Sequence, residues 1–232
     1  MNEVTNGARR GAKIQIRGLC KDYARGGETL SVLAGLDLDV EPGSFEALMG
    51  PSGSGKSTLL HIVAGLDRPS RGTVEVAGVR LDGLGDRALA AFRAEHLGIV
   101  FQTYNLMPVL TAVENVELPL LLTSMSRAER RRRAETALDV VGLSERKKHL
   151  PKELSGGQEQ RVAIARAIVH DPELIVADEP TGDLDRKSAD EILDLFGKLH
   201  RDFGKTIVMV THDPAAAARA ERCRKLDKGA LS

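Results

Sequence analysis

Three short stretches carry residue types whose order could do phosphate chemistry. The first is Gly50-Pro51-Ser52-Gly53-Ser54-Gly55-Lys56-Ser57, a full match to the phosphate-loop spacing of Gly, four residues, Gly, Lys and Ser or Thr. Glycines at 50, 53 and 55 let the backbone turn without Cβ clashes, so that successive N–H groups can converge on phosphate oxygens. Lys56 adds a point charge and Ser57 a hydroxyl suited to magnesium, which makes the stretch a nucleotide phosphate cradle. The second is Asp178-Glu179, two carboxylates closing the apolar run Leu174-Ile175-Val176-Ala177. Acids at strand ends of a doubly wound sheet lie where ligands bind. Asp178 suits a magnesium ligand, directly or through water, and Glu179 is placed to polarise a water for in-line attack. The third is Leu154-Ser155-Gly156-Gly157-Gln158, whose Ser155-to-Gln158 spacing is that of a capping box opening a helix. Two glycines at the mouth of that helix leave N–H groups open to a second anion. One phosphate loop has little use for two cradles, which points to a neighbouring molecule for the second.

The elements that must hold these residues are legible around them. Phe45-Glu46-Ala47-Leu48-Met49 reads as a short buried strand and Ser57 to Ala64, beginning Ser57-Thr58, as a helix whose N-terminus faces the anion. Glu46 is a carboxylate in that apolar strand, and a polar partner or an exposed edge is expected for it. Upstream, residues 13–19 and 36–40 alternate as half-buried strands, and 73–78 form a third after the Arg71-Gly72 turn. Tyr23 follows the first strand. It is either a surface or hairpin aromatic or a flat ring able to stack on a purine.

From about residue 86 to 170 the pattern turns helical. Residues 86–95 read as helix, and Leu97-Gly98-Ile99-Val100-Phe101 is an apolar strand that delivers Gln102 at its end. Gln102 is either an ordinary capping amide or a group reaching a magnesium ion or the attacking water. Thr111 and Glu114 form a capping-box pattern, and Leu118 to Leu122 continue as an apolar patch kinked or ended at Pro119, either core or a groove for a partner. Five arginines between 127 and 133 splay around a helix as a solvated face. Residues 188–203 are an amphipathic helix, and Thr206 to Val210 a last buried strand that ends at His212. Histidines 61, 96, 149, 170 and 200 lack such a strand-end position and read as surface or helix-flank residues.

Composition limits the alternatives. Over 232 residues, 33 Lys and Arg balance 33 Asp and Glu, so no net field favours nucleic acid or an anionic membrane. No apolar run approaches the ~18 residues needed to cross a bilayer, and residues 1–12 read as a polar, disordered leader rather than a signal peptide. Cys20 and Cys223 stand alone near opposite ends, which suits a reducing compartment and neither a disulfide nor a metal.

Taken together, from about residue 13 onward, the chain resembles the ATP-binding subunits of ABC transporters. In that resemblance Gly50 to Ser57 is the Walker A loop, Gln102 the Q-loop residue and Leu154 to Gln158 the signature. Walker B ends at Asp178 with Glu179 beside it, Gly182-Asp183-Leu184-Asp185 is the D-loop and His212 the switch histidine. It implies an α/β fold: a RecA-like P-loop NTPase core with an antiparallel β subdomain and an inserted helical subdomain over about 103–170, within one domain spanning 13–232. It further implies ATP and Mg²⁺ as ligands, adenine stacking on Tyr23, contacts through Thr58 and Asp185, and Ser57, Gln102 and Asp178 around the metal. Lys56, Gln102, Glu179 and His212 carry the chemistry. Two copies would pair head to tail on ATP, each site closed by Ser155 and Gly157 of the other. Residues 61–69, 101–122 and 177–185 look like the lipoprotein-releasing and macrolide-export branch, to which the cell-division branch is close. That branch implies a permease with a large extracytoplasmic domain and a peripheral position on the cytoplasmic face of the bacterial inner membrane. Gly182-Asp183 stands where many relatives have Ser-Ala or Gly-Asn, and Glu159 where Gln is usual. A DNA-repair ATPase would need a long coiled-coil insertion between Gln102 and Ser155, and a translation factor two tandem cassettes.

Overall fold

The computed structural model describes residues 11–231 of the chain. In order along it lie β1 (Ile14–Arg25), β2 (Glu28–Val40), β3 (Phe45–Met49), α1 (Lys56–Val63), β4 (Arg71–Val76), β5 (Val79–Arg80), α2 (Asp86–His96) and β6 (Leu97–Val100). Then come α3 (Ala112–Glu117), a 3-10 turn at Leu118–Leu122, α4 (Arg127–Val140) and α5 (Gly156–Ile168). The chain closes with β7 (Leu174–Asp178), α6 (Arg186–Phe203), β8 (Thr206–Thr211), α7 (Pro214–Ala217), β9 (Arg222–Asp227) and β10 (Ala230–Leu231). The sequence pattern underestimated β1 and β2, which run on through polar residues into one long hairpin carrying Tyr23 opposite Leu30.

Two sheets result. The first is antiparallel, in the order β2-β1-β4-β5. Its register sets Ile14 between Val40 and Val76, and Ile16 between Leu38 and Val74, so one face is a continuous buried band. The second has the order β10-β9-β3-β8-β7-β6 and is parallel from β9 to β6. Its central strands are covered on both faces, which is why β7 and β8 read as apolar runs without alternation. Ala47, Ile175, Ala177, Ile207 and Met209 point to a core shared with α3 to α7. Leu48, Leu174, Val176, Val208 and Val210 point the other way, onto α1, α2 and the antiparallel sheet. The sheet therefore separates a helical layer from a β-rich one and fixes both against the same strands.

Details of the ends follow from local chemistry. Ala12 is buried, its N–H donating to Glu173 O at 3.2 Å and its carbonyl accepting from Thr206 Oγ1 at 2.8 Å, so it is packed chain rather than part of the leader. Residues 1–10 of that leader lie outside the described residues. The expected capping box at α3 is present, with Thr111 N and Oγ1 both donating to Glu114 Oε2. The Leu118–Leu122 patch divides: Leu120 is core, while Leu121 and Leu122 face outward at 55% and 86% exposure.

Glu46 lies on a central strand and is 1% exposed. It has a partner rather than an edge: Arg224 on β9 donates from Nε to Glu46 Oε2 at 2.6 Å, and Arg222 lies 3.5 Å from Oε1. Arg224 also donates to Asp39 O at 2.7 Å, joining the two sheets through one guanidinium. Removing the carboxylate leaves this half-buried cation uncompensated. Glu46→Ala is therefore expected to lower stability by about 3 kcal/mol, read as a shift of the urea midpoint; an unshifted midpoint would show that the pair is dispensable.

Candidate active site

The glycine loop leaves β3 and enters α1 with no slack. Gly55 adopts φ 100°, and a Cβ there would meet Leu33 Cδ2 at 2.8 Å, so both its conformation and its surroundings exclude a side chain. A Cβ on Gly50 would stand 2.1 Å from Leu226 O of β9. α1 begins without a side-chain cap, which leaves its first-turn N–H groups for an anion. Lys56 is 7% exposed and donates from Nζ to Gly50 O at 2.8 Å and Pro51 O at 2.9 Å. The ammonium thus curls onto the carbonyls of its own loop.

The acids sit directly across from this loop. Ser57 Oγ donates to Asp178 Oδ1 at 3.1 Å, joining the start of α1 to the end of β7. Burial pushes the Asp178 carboxyl up, against the hydrogen bond from Ser57 and the charges of His61 and Lys56. A hydroxyl and a carboxylate converging in this way are the hard oxygen donors magnesium takes, so the site fits that ion. Glu179 is held in the left-handed region at φ 49° by its N–H bonding to Val210 O at 2.9 Å. Its Oε2 receives His212 Nδ1 at 2.7 Å. An ionised carboxylate only accepts, so a hydrogen bond to it at this position is donated by Nδ1. His61, read from sequence as a helix-flank residue, borders the site as well. It follows Ser57 by one turn on α1 and its Nε2 lies 3.9 Å from Asp178 Oδ2.

Other candidates are brought near without joining this cluster. Gln102 Nε2 donates to Asp183 Oδ1 at 2.8 Å, and its amide packs on Gly182, where a Cβ would meet it at 3.0 Å. In this state it holds the D-loop and ligates neither Ser57 nor Asp178. Asp185 caps α6, accepting from Ser188 N at 3.0 Å and Oγ at 2.7 Å. These bonds, the backbone one first, hold its carboxyl below the usual range. Ser155 and Gln158 form the expected capping box at α5, with bonds of 3.3 and 3.1 Å. Side chains lie close to where a Cβ would stand on either of its glycines. A Cβ on Gly156 would meet the Tyr104 hydroxyl at 2.8 Å, and one on Gly157 the Ser188 side chain at 3.0 Å. Tyr23 is 38% exposed and hydrogen-bonds through its hydroxyl to Asp67 Oδ2 at 2.6 Å, with Lys21 Nζ 4.6 Å from the ring centre. Burial, then the Asp67 bond, raise its pKa against a contact with Thr58 on α1.

Two residues escaped sequence reading. Asn115 is fully buried and holds the exposed 107–111 loop through Met107 N at 2.7 Å and the carbonyls of Met107, Leu110 and Thr111. Gln160, also fully buried, donates to Phe101 O at 3.2 Å and Pro180 O at 2.6 Å. The signal for both was available: an amide among apolar helix positions demands partners.

Comparison with known proteins agrees with this arrangement. The ABC transporter family model matches residues 33–182. The macrolide export ATP-binding/permease protein MacB of Rhodopseudomonas palustris is 50% identical over 218 residues, 94% of this chain, which spans only 33% of that protein. The ABC transporter ATP-binding protein YvrO of Bacillus subtilis is 50% identical over 94% of this chain and 95% of its own. Among solved structures, the dimeric ATP-binding cassette MJ0796 bound to ADP and Pi has a TM-score of 0.87 and 43% identity, covering 94% of this chain and 96% of that one. With its glycine loop, strand-end acids and signature helix in one fold, the chain belongs to the ABC transporter family.

Proposed function

We propose that the chain binds ATP with Mg²⁺ and hydrolyses it as the energy-supplying subunit of a bacterial ABC export or extraction system. The observation that carries this reading is the meeting of Ser57, Asp178 and the Glu179–His212 pair beside the glycine loop. For nucleotide to enter, Lys56 gives up its bonds to Gly50 O and Pro51 O and turns to phosphate oxygens, joined by the loop amides and the first turn of α1. Ser57 and Asp178 would hold magnesium, which supplies charge neutralisation to the phosphates. Glu179 orients a water and takes its proton, while His212, bonded to Glu179 through Nδ1, fixes that carboxylate and offers its other nitrogen toward the γ-phosphate. Tyr23 would contribute the adenine platform through its free face.

Two copies act together in this reading, Ser155 and Gly157 of each closing the other's nucleotide. The dimeric form of MJ0796 supports it. ATP bridging both copies favours the closed pair, and loss of the γ-phosphate removes that preference. Among the described residues no helix is long and apolar enough to cross a membrane. In this reading a permease spans it and this cassette lies peripherally on the cytoplasmic face. Met107, Val109, Leu121 and Leu122, exposed at 48%, 77%, 55% and 86%, offer the apolar surface for it. Likeness to MacB favours export, through a permease with a large extracytoplasmic domain, over mechanical signalling of the cell-division kind.

Charge-assisted hydrogen bonds contribute about 1.5–3 kcal/mol each, so Lys56→Ala should weaken ATP binding roughly 10- to 100-fold in calorimetry. Unchanged affinity would contradict the cradle. Glu179→Gln should bind ATP as the parent does while its turnover falls by roughly 100-fold or more, leaving an ATP-loaded dimer on gel filtration. Brisk hydrolysis by that variant would remove Glu179 from its role.

A further inference from the structure

The amide of Gln160 occupies a position that the phosphate chemistry above does not use. It lies in the second turn of α5, five residues after the Ser155 cap, and is 0% exposed. Both groups facing its nitrogen are carbonyls, so the amide orientation is fixed with the NH₂ inward. One of these carbonyls belongs to Phe101, the residue before Gln102. The other belongs to Pro180, the residue after Glu179. A single side chain therefore joins three segments: the signature helix, the strand end that presents Gln102 and the strand end that presents Glu179.

The bond is kept at a cost to folding. Gln160 Oε1 is buried and meets no donor among the described residues. The turn that follows it on the helix holds Val162, Ala163 and Ile164, all buried and apolar, and an apolar residue at 160 would leave no bare acceptor of its own. What an apolar residue would not do is hold the two carbonyls at one height. Both are at points where the backbone leaves the sheet: Phe101 follows the last residue of β6, and Pro180 follows Glu179 with its left-handed φ of 49°.

We infer that Gln160 is a positioning residue that fixes Gln102 and Glu179 relative to the signature helix of the same copy, and so couples the two nucleotide sites. The inference rests on the proposed head-to-tail pair. In that pair the signature of one copy serves the nucleotide held by the other, whereas Gln102 and Glu179 serve the copy's own nucleotide. A shift of α5 on closing over the neighbour's phosphate is then carried by the Gln160 amide to Phe101 O and Pro180 O, and through them to the hydrolytic residues. The hydrogen bonds of Gln160 go to Phe101 and Pro180 and none to the loop residues Gly50 to Thr58, so nucleotide binding by the isolated copy is expected to be independent of it.

The test is Gln160→Met, which keeps the length of the side chain and removes both donors. ATP affinity, kcat, the Hill coefficient of hydrolysis and thermal stability are measured against the parent. The expected result is parental affinity, kcat lower by roughly 10- to 100-fold, and a Hill coefficient reduced toward one while the parent's exceeds one. A purely structural role would instead lower kcat in proportion to the unfolded fraction. If Gln160→Met does not fold, Gln160→Asn, which keeps the amide on a stem too short to reach both carbonyls, carries the same comparison. Parental kcat and Hill coefficient in a folded variant would overturn the inference, as would a kcat loss that tracks unfolding. A parent that does not hydrolyse ATP cooperatively would overturn it too, through the paired-site reading beneath it, and is distinguished because it fails before any variant is made.

Discussion

The register of three adjacent parallel strands is the constraint on which the site depends. Met49 on β3 pairs with Thr211 on β8, and Val210 on β8 pairs with Asp178 on β7. Gly50, His212 and Glu179 therefore leave the sheet at one height, although they are far apart in the chain. A slip of one residue on any of these strands would turn its apolar side chains to the wrong core and carry its strand-end residue away from the others. The two cores on opposite faces of the sheet hold that register from both sides, and the buried Glu46–Arg224 pair pins β3 to β9 beside it.

Within that frame the groups are at rest against one another. Lys56 is satisfied by its own loop, Ser57 by Asp178, and Gln102 by Asp183. In the proposed function each of these bonds gives way to one with phosphate or a cation, and until then the site keeps its polar groups paired. The Asp183 carboxylate that receives Gln102 joins the end of β6 to the turn that follows β7.

How much of this was legible in the sequence differs by residue. The glycine loop, the strand-end acids and the α5 capping box were, because their spacing follows from backbone geometry that few other structures require. The strand lengths of β1 and β2 were not, since a twisted hairpin tolerates polar residues once its apolar end is packed, and the periodicity fades beyond Leu19. His61 shows a related limit: it is the half-exposed helix residue the sequence suggests, but only the placement of β7 beside α1 shows what it faces. Gln102 and Asp185 illustrate the converse, residues given ligand roles by resemblance whose side chains hold loop and cap contacts here. Gln160 and Asn115 needed the fold, because the carbonyls they serve belong to other elements or to a loop without periodicity.

The central claim is that one active site is made from two copies. It is tested most directly by mixing two inactive variants. Lys56→Ala spoils the cradle of a copy and leaves its signature intact. Ser155→Asp keeps a good helix cap while opposing the γ-phosphate with a charge, spoiling the signature and leaving the cradle intact. In a mixed pair, one of the two sites combines the intact cradle with the intact signature. The account predicts that the mixture hydrolyses ATP well above the sum of the two variants measured alone. Activity no greater than that sum, with mixed pairs shown to form, would contradict it and place the complete site within a single copy.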